Sequence, residues 1–143
     1  MPALIEDYAL LGNCRTAALV DRSGSLDWLC FPRFDSPACF SALLGSSDNG
    51  RWRICPSQPL TGTERRYRDS TMILETVFHT EQGSAMLVDW MPVGEQDCVV
   101  RTVVGLSGQV EFDMELVMRF DYGSSVPWVE QAQPRTLTAV AGP

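Results

Sequence analysis

QVEFDMELVMRFDY, residues 109–122, decides the fold class. Phe112, Met114, Leu116, Met118, Phe120 and Tyr122 alternate with Glu111, Asp113, Glu115, Val117, Arg119 and Asp121. Side chains two apart on an extended chain share a face, so the pattern predicts a strand with one buried and one wet face. A helix would scatter the acids around its circumference. The run is about twice the usual strand length of ~5–6 residues, which suits a large sandwich.

The flanking sequence has the same character. Val99–Leu106 reads as a strand before the turn Ser107-Gly108, and Val126–Ala132 and Arg135–Val140 read as two more. Thr71–Thr80 is rich in β-branched residues, and Glu81-Gln82-Gly83 turns it into Ser84–Met91, which Pro92 stops. Arg51–Cys55 alternates, Pro56–Gly62 is a loop, and Glu64–Arg68 reads as an edge strand blunted by its arginines. Tyr8–Asn13 is a short apolar run that ends in a Gly-Asn turn. Thr16–Asp21 and Ser25–Phe31 make a hairpin whose loop puts Gly24 in the left-handed region. Leu26–Phe31 alternates poorly and reads as a buried strand, which Pro32 ends because it has no N–H to donate. Ser36 then stands as an N-cap, Pro37 as a first helical residue and Gly45 as the residue after the last turn. One short helix near residues 37–44 is expected there, with Phe40, Leu43 and Leu44 on its apolar face. The fold class is all-β: an antiparallel β-sandwich of about nine or ten strands with that one helix.

Length and composition limit the function. A chain of 143 residues is one domain, able to bury roughly 70% of its unfolded surface. All 11 basic residues are arginine, and the net charge of −7 argues against nucleic acid or an anionic membrane as partner. MPALIED has no basic, apolar leader pattern, and no apolar run reaches the ~18 residues that span a bilayer. Cys14, Cys30, Cys39, Cys55 and Cys98 are odd in number, widely spaced and never CxxC. They are expected to be reduced thiols in a cytoplasmic protein, not zinc ligands or a disulfide framework.

Candidate chemistry is sparse. The single histidine, His79, lies mid-strand with no triad partners near it in sequence, and it reads as a structural or surface residue. No phosphate loop is present. Asp27, Asp35 and Asp89 stand near aromatic residues, and glycosidases work with two carboxyl groups across a sugar. Asp beside Trp is nonetheless common by chance in β-rich domains, and catalysis is not expected within this chain. Glu111, Asp113 and Glu115 read as a solvated face, because side chains two apart diverge from any common cation. Arg33-Phe34-Asp35 is a mixed polar loop held between strand and helix. It reads either as an ion pair that stabilises the loop or as a contact to a ligand or a partner domain.

Ile5–Gly45, IEDYALLGNCRTAALVDRSGSLDWLCFPRFDSPACFSALLG, resembles the N-terminal domain of bacterial glycoside hydrolase family 15 proteins, the glucoamylase and trehalase-like group. The likeness continues through Asn49–Trp52, Arg66–Arg68, Leu74–Thr76, Asp89–Pro92, Val100-Arg101, Arg119–Gly123 and Ala141–Pro143. The resemblance implies a super-sandwich type of β-sandwich that precedes an (α/α)6 catalytic barrel. It implies a parent reaction too, inverting hydrolysis of α-glucosidic bonds in trehalose or maltooligosaccharides, with two barrel glutamates as acid and base. Residues 1–143 are then a single N-terminal sandwich domain, with further strands expected beyond Pro143 and the barrel absent. No catalytic residue, metal site or cofactor is carried over. Trp28, Phe31, Arg33, Phe34 and Asp35 are the residues expected nearest the glucose pocket. The expected partner is the chain's own barrel in the parent, with α-glucosides as ligands. The alternatives are a stand-alone carbohydrate-binding module using Trp52, Trp90 or Trp128 as a platform, and a self-associating domain that forms a homodimer through exposed edges.

Overall fold

A computed structural model of the chain describes residues 3–94 and 96–142. Twelve strands occur among them: β1 Ala9–Gly12, β2 Ala17–Val20, β3 Ser25–Cys30, β4 Ala38–Phe40, β5 Arg51–Pro56, β6 Leu60–Tyr67, β7 Leu74–Thr80, β8 Gly83–Trp90, β9 Val100–Gly108, β10 Phe112–Val117, β11 Trp128–Gln133 and β12 Thr136–Val140. One sheet runs β1-β2-β3-β5-β10, with β4 also paired to β3; a second runs β6-β7-β8-β9; β11 and β12 pair only with each other. Every pairing is antiparallel. The two large sheets pack as a sandwich, as the alternating patterns predict.

The core lies between those sheets. Phe78 of β7 and Leu87 of β8 meet Ile54 of β5, with Trp52 and Phe112 packed alongside. A larger cluster joins Leu11, Val20, Leu26, Leu29 and Phe40 to Leu74 and Met91. Each such side chain contributes roughly 1.5–3 kcal/mol on burial.

The poor alternation of Leu26–Phe31 has a specific cause. Val20 is paired with Leu26 and Leu19 with Trp28, so Asp27 is an extra residue in β3, a β-bulge. The bulge lets Leu26 and Leu29, three apart, both face the core while Trp28 turns to the other side. Gly24 closes the β2–β3 hairpin at φ +80°.

Three expectations are corrected. The helix near residues 37–44 does not form. Ala38, Cys39 and Phe40 are all buried and extend as β4, pairing with Leu29 and Cys30, and only Ala42–Leu44 makes a single 3-10 turn. A helix would have left the Leu29–Cys30 edge unpaired. Ser36 does not cap; its Oγ accepts the Arg33 N–H at 3.1 Å. The strand count is twelve, above the nine or ten expected, partly because of β4. β6 also starts at Leu60, within the stretch read as a loop. Finally, β10 is six residues long. Its ladder can be no longer than β5, which it pairs, and Asp121 and Tyr122 at φ +50° and +57° turn the chain away. Its apolar face is not buried either, since Met114 is 68% and Leu116 41% exposed.

β6 is an edge strand, as its arginines suggest. Arg66 and Arg68 donate to opposite oxygens of the buried Glu75 carboxylate at 2.9 and 2.7 Å. The Arg68 hydrogen bond, then that of Arg66, holds the Glu75 carboxyl below the usual range. Glu75 therefore stays ionised in the folded chain at pH values where it is already protonated when unfolded. Its stabilisation is complete above the unfolded pKa of about 4.3 and is lost as pH falls through the lower folded value. The urea midpoint of the parent chain is expected to exceed that of Glu75→Gln at neutral pH. The gap should close as pH is taken down from about 4.3.

Candidate functional site

The Phe31–Ser36 loop is held from both sides. The Phe34 N–H donates to the Arg15 carbonyl at 3.1 Å, and the Ser36 N–H to the Arg33 carbonyl at 3.1 Å. Phe31 is packed on the main core cluster, and its bond to Pro32 is cis. Held this way, Arg33, Phe34 and Asp35 are exposed, Phe34 at 65%. They line an open cavity of about 380 Å³ with Cys14 and Arg15. Arg33 and Asp35 form a two-pronged ion pair, Nε to Oδ1 at 3.0 Å and Nη2 to Oδ2 at 3.1 Å. So exposed a pair is worth at most ~1 kcal/mol, and it leaves the guanidinium edge and the Phe34 ring facing solvent.

Of the five residues expected at the site, the structure brings Arg33, Phe34 and Asp35 together. Phe31 serves as their anchor. Trp28 lies apart, with its ring 6.1 Å from that of Tyr122. Sequence reading missed Cys14 and Arg15. The Gly12-Asn13 turn signal was the available clue: Asn13 Oδ1 accepts the Arg15 and Thr16 N–H groups, and Cys14 takes φ +68° in that turn.

Cys14 also borders an apolar groove of about 320 Å³, lined by Met72, Ile73, Trp90, Met91 and Val93.

Asp27, Asp35 and Asp89 do not come together as an acid–base pair; each has different neighbours. Asp27, at the bulge, accepts the Tyr8 hydroxyl at 2.7 Å and the Ser25 hydroxyl at 2.5 Å, and it lines a separate polar cavity. Burial, then the Asp27 contact, pushes the Tyr8 hydroxyl pKa upward, so Tyr8 stays a donor. Asp35 is neutralised by Arg33. Asp89 is wholly buried against Arg101, and burial raises its pKa despite that partner. His79 lies 3.5 Å from Glu64 on the sheet surface. No group of three or more metal-ligating side chains occurs among the described residues.

The five cysteines are unpaired. Burial pushes the Cys39 thiol up to about 11, which leaves it inert at neutral pH. The tryptophans share no platform. Trp52 packs on the core, Trp90 lines the groove and Trp128 lies on the β11–β12 hairpin. No helix among the described residues is long and apolar enough to cross a membrane. The loop displays the Arg33 guanidinium and the Phe34 ring to solvent beside Cys14 and Arg15.

The profile of the family described as trehalase-like, N-terminal, matches residues 1–141. A trehalase of Mycolicibacterium smegmatis is 33% identical over 158 residues, covering 96% of this chain and 23% of that protein. Trehalase 1 of Sulfolobus acidocaldarius is 38% identical over 130 residues, covering 89% of this chain and 22% of that protein. A trehalase of Thermoplasma volcanium is 31% identical over 137 residues, covering 90% and 22%. The chain thus spans less than a quarter of the length of these relatives. No solved structure matches it.

Proposed function

The chain belongs to the trehalase-like N-terminal family, and on that premise we propose that it is the non-catalytic sandwich domain of an α-glucoside hydrolase of the glycoside hydrolase family 15 type. Its role is to support an (α/α)6 catalytic barrel and to border the barrel's glucose pocket. The parent reaction is inverting hydrolysis of the α-glucosidic bond of trehalose or of maltooligosaccharides, with the catalytic carboxyl groups supplied by the barrel. Five unpaired cysteines fit work in the cytoplasm.

The observation that carries this reading is the coverage. A family match over 1–141 coincides with relatives named trehalases that are less than a quarter covered. The site supports it as well. Asp27 and Asp89 are engaged in buried structural contacts, whereas Arg33, Phe34, Asp35 and the Cys14 groove face solvent. A domain that assists a neighbour needs such a display and needs no acid–base pair of its own.

A chimera tests it. Residues 1–143 replace the matched segment of the Mycolicibacterium smegmatis trehalase, and trehalose hydrolysis is followed. The chimera is expected to be active, and Arg33→Ala with Asp35→Ala is expected to lower kcat/KM about tenfold, which is ~1.4 kcal/mol. Unchanged kcat/KM together with unchanged domain association would remove the loop from the functional surface.

A further inference from the structure

Two side chains of β6 reach across to the first sheet. β1 is the last strand of that sheet and, among the described residues, pairs with β2 alone. On such an edge, alternate residues turn both backbone groups away from the partner strand, where they offer a donor and an acceptor to a further strand. Leu10 is one of these outward residues. Its N–H donates to the Tyr67 hydroxyl at 2.9 Å, and the same hydroxyl donates to the Leu10 carbonyl at 2.9 Å. One phenol oxygen thus makes with Leu10 both of the bonds that a residue of a neighbouring strand would make.

The approach to β1 is held in a similar way. Two residues before Leu10, the Tyr8 N–H donates to the Ile5 carbonyl at 3.2 Å, closing the 3-10 turn Ile5–Asp7. Arg65 stands two residues before Tyr67 and so shares its face of β6. Its Nη1 donates to the Asp7 carbonyl at 2.7 Å and to the Val20 carbonyl at 3.3 Å. Leu74, opposite Tyr67 in the ladder, is buried in the main core cluster, so this is the inner face of β6. An edge strand would ordinarily fill that face with apolar side chains. Here the two polar tips end on backbone groups of the other sheet.

We propose that the Tyr67 hydroxyl is a strand substitute that holds the β1 edge shut against the addition of a further strand, with Arg65 fixing the chain that leads into β1. The device is complete within the described residues. It works whether or not the chain serves a catalytic barrel.

Amide hydrogen exchange of the purified chain, followed residue by residue by NMR, tests it. The Leu10 amide is expected to be protected in the parent. In Tyr67→Phe, which keeps the ring and removes the oxygen, its exchange should rise about tenfold, while the Phe78 and Leu87 amides keep their rates. A parent in which Leu10 exchanges as fast as an unstructured chain would overturn the proposal. So would an unchanged Leu10 rate in Tyr67→Phe, or a rise shared equally by Phe78 and Leu87, which would mark a loss of global stability and not an opened edge. If Tyr67→Phe failed to fold, the parent would decide alone: a nuclear Overhauser contact between the Tyr67 ring and the Leu10 amide proton supports the closure, and its absence overturns it.

Discussion

Arg101→Ala is expected to destabilise the chain by about 3–5 kcal/mol, the usual cost of leaving one partner of a buried ion pair uncompensated. Arg101 and Asp89 side chains are both 0% exposed, with Nε to Oδ1 at 2.9 Å and Nη2 to Oδ2 at 3.1 Å. The same guanidinium donates to the Gly24 carbonyl at 2.9 Å and to the Trp52 carbonyl, and lies 5.2 Å from the Trp52 ring centroid. One side chain on β9 thus satisfies backbone acceptors on the opposite sheet. Its loss opens the sandwich as well as stranding Asp89, whose carboxyl would take up a proton. Replacing both residues, Arg101→Met with Asp89→Leu, should cost far less than Arg101→Ala, because no buried charge remains. Urea denaturation of the two variants checks this; equal losses would show that packing and not charge dominates.

Gly24→Ala is expected to be the second most damaging change, at roughly 2–5 kcal/mol from left-handed strain and overpacking together. Gly24 sits at φ +80°, and an added Cβ would lie 2.2 Å from the Ile54 backbone oxygen. That neighbour is itself fixed, since the Ile54 N–H donates to the Gly24 carbonyl at 3.1 Å. Moving Gly24 also moves an acceptor of Arg101. The two substitutions share a partner, so their effects should sum to more than the double variant shows. Full additivity in thermal denaturation would mean that the turn and the ion pair act separately.

Much of this architecture was legible because strand patterns are local. Ala17–Val20 and Ser25–Cys30 around Gly24, and Leu74–Thr80 with Gly83–Trp90, announce their hairpins in their own residues. What misled were local signals outweighed by distant partners. Ser36-Pro37 and Gly45 are good helix punctuation, yet Ala38–Phe40 gains more by pairing with Leu29 and Cys30 inside the core. The alternation of residues 109–122 correctly indicated a strand, but period two cannot say whether another sheet covers its apolar face, and here Met114 is left open. At the site, Arg33–Asp35 was readable as a loop pair two residues apart. Arg15, about twenty positions earlier, comes beside it only through the β2–β3 hairpin, which no sequence spacing records. The Asp27 bulge shows the same limit: the broken alternation was visible, and its cause lay in the pairing with β2.

The claim that this domain supports catalysis without performing it is tested most directly by glucose release from trehalose with the purified chain. No release above the buffer rate is expected, because Asp27 and Asp89 are committed to buried partners and Asp35 stands apart from both on an exposed loop. Sustained turnover by the isolated chain, abolished by Asp27→Asn or Asp35→Asn, would contradict the assignment and place an active site within these 143 residues.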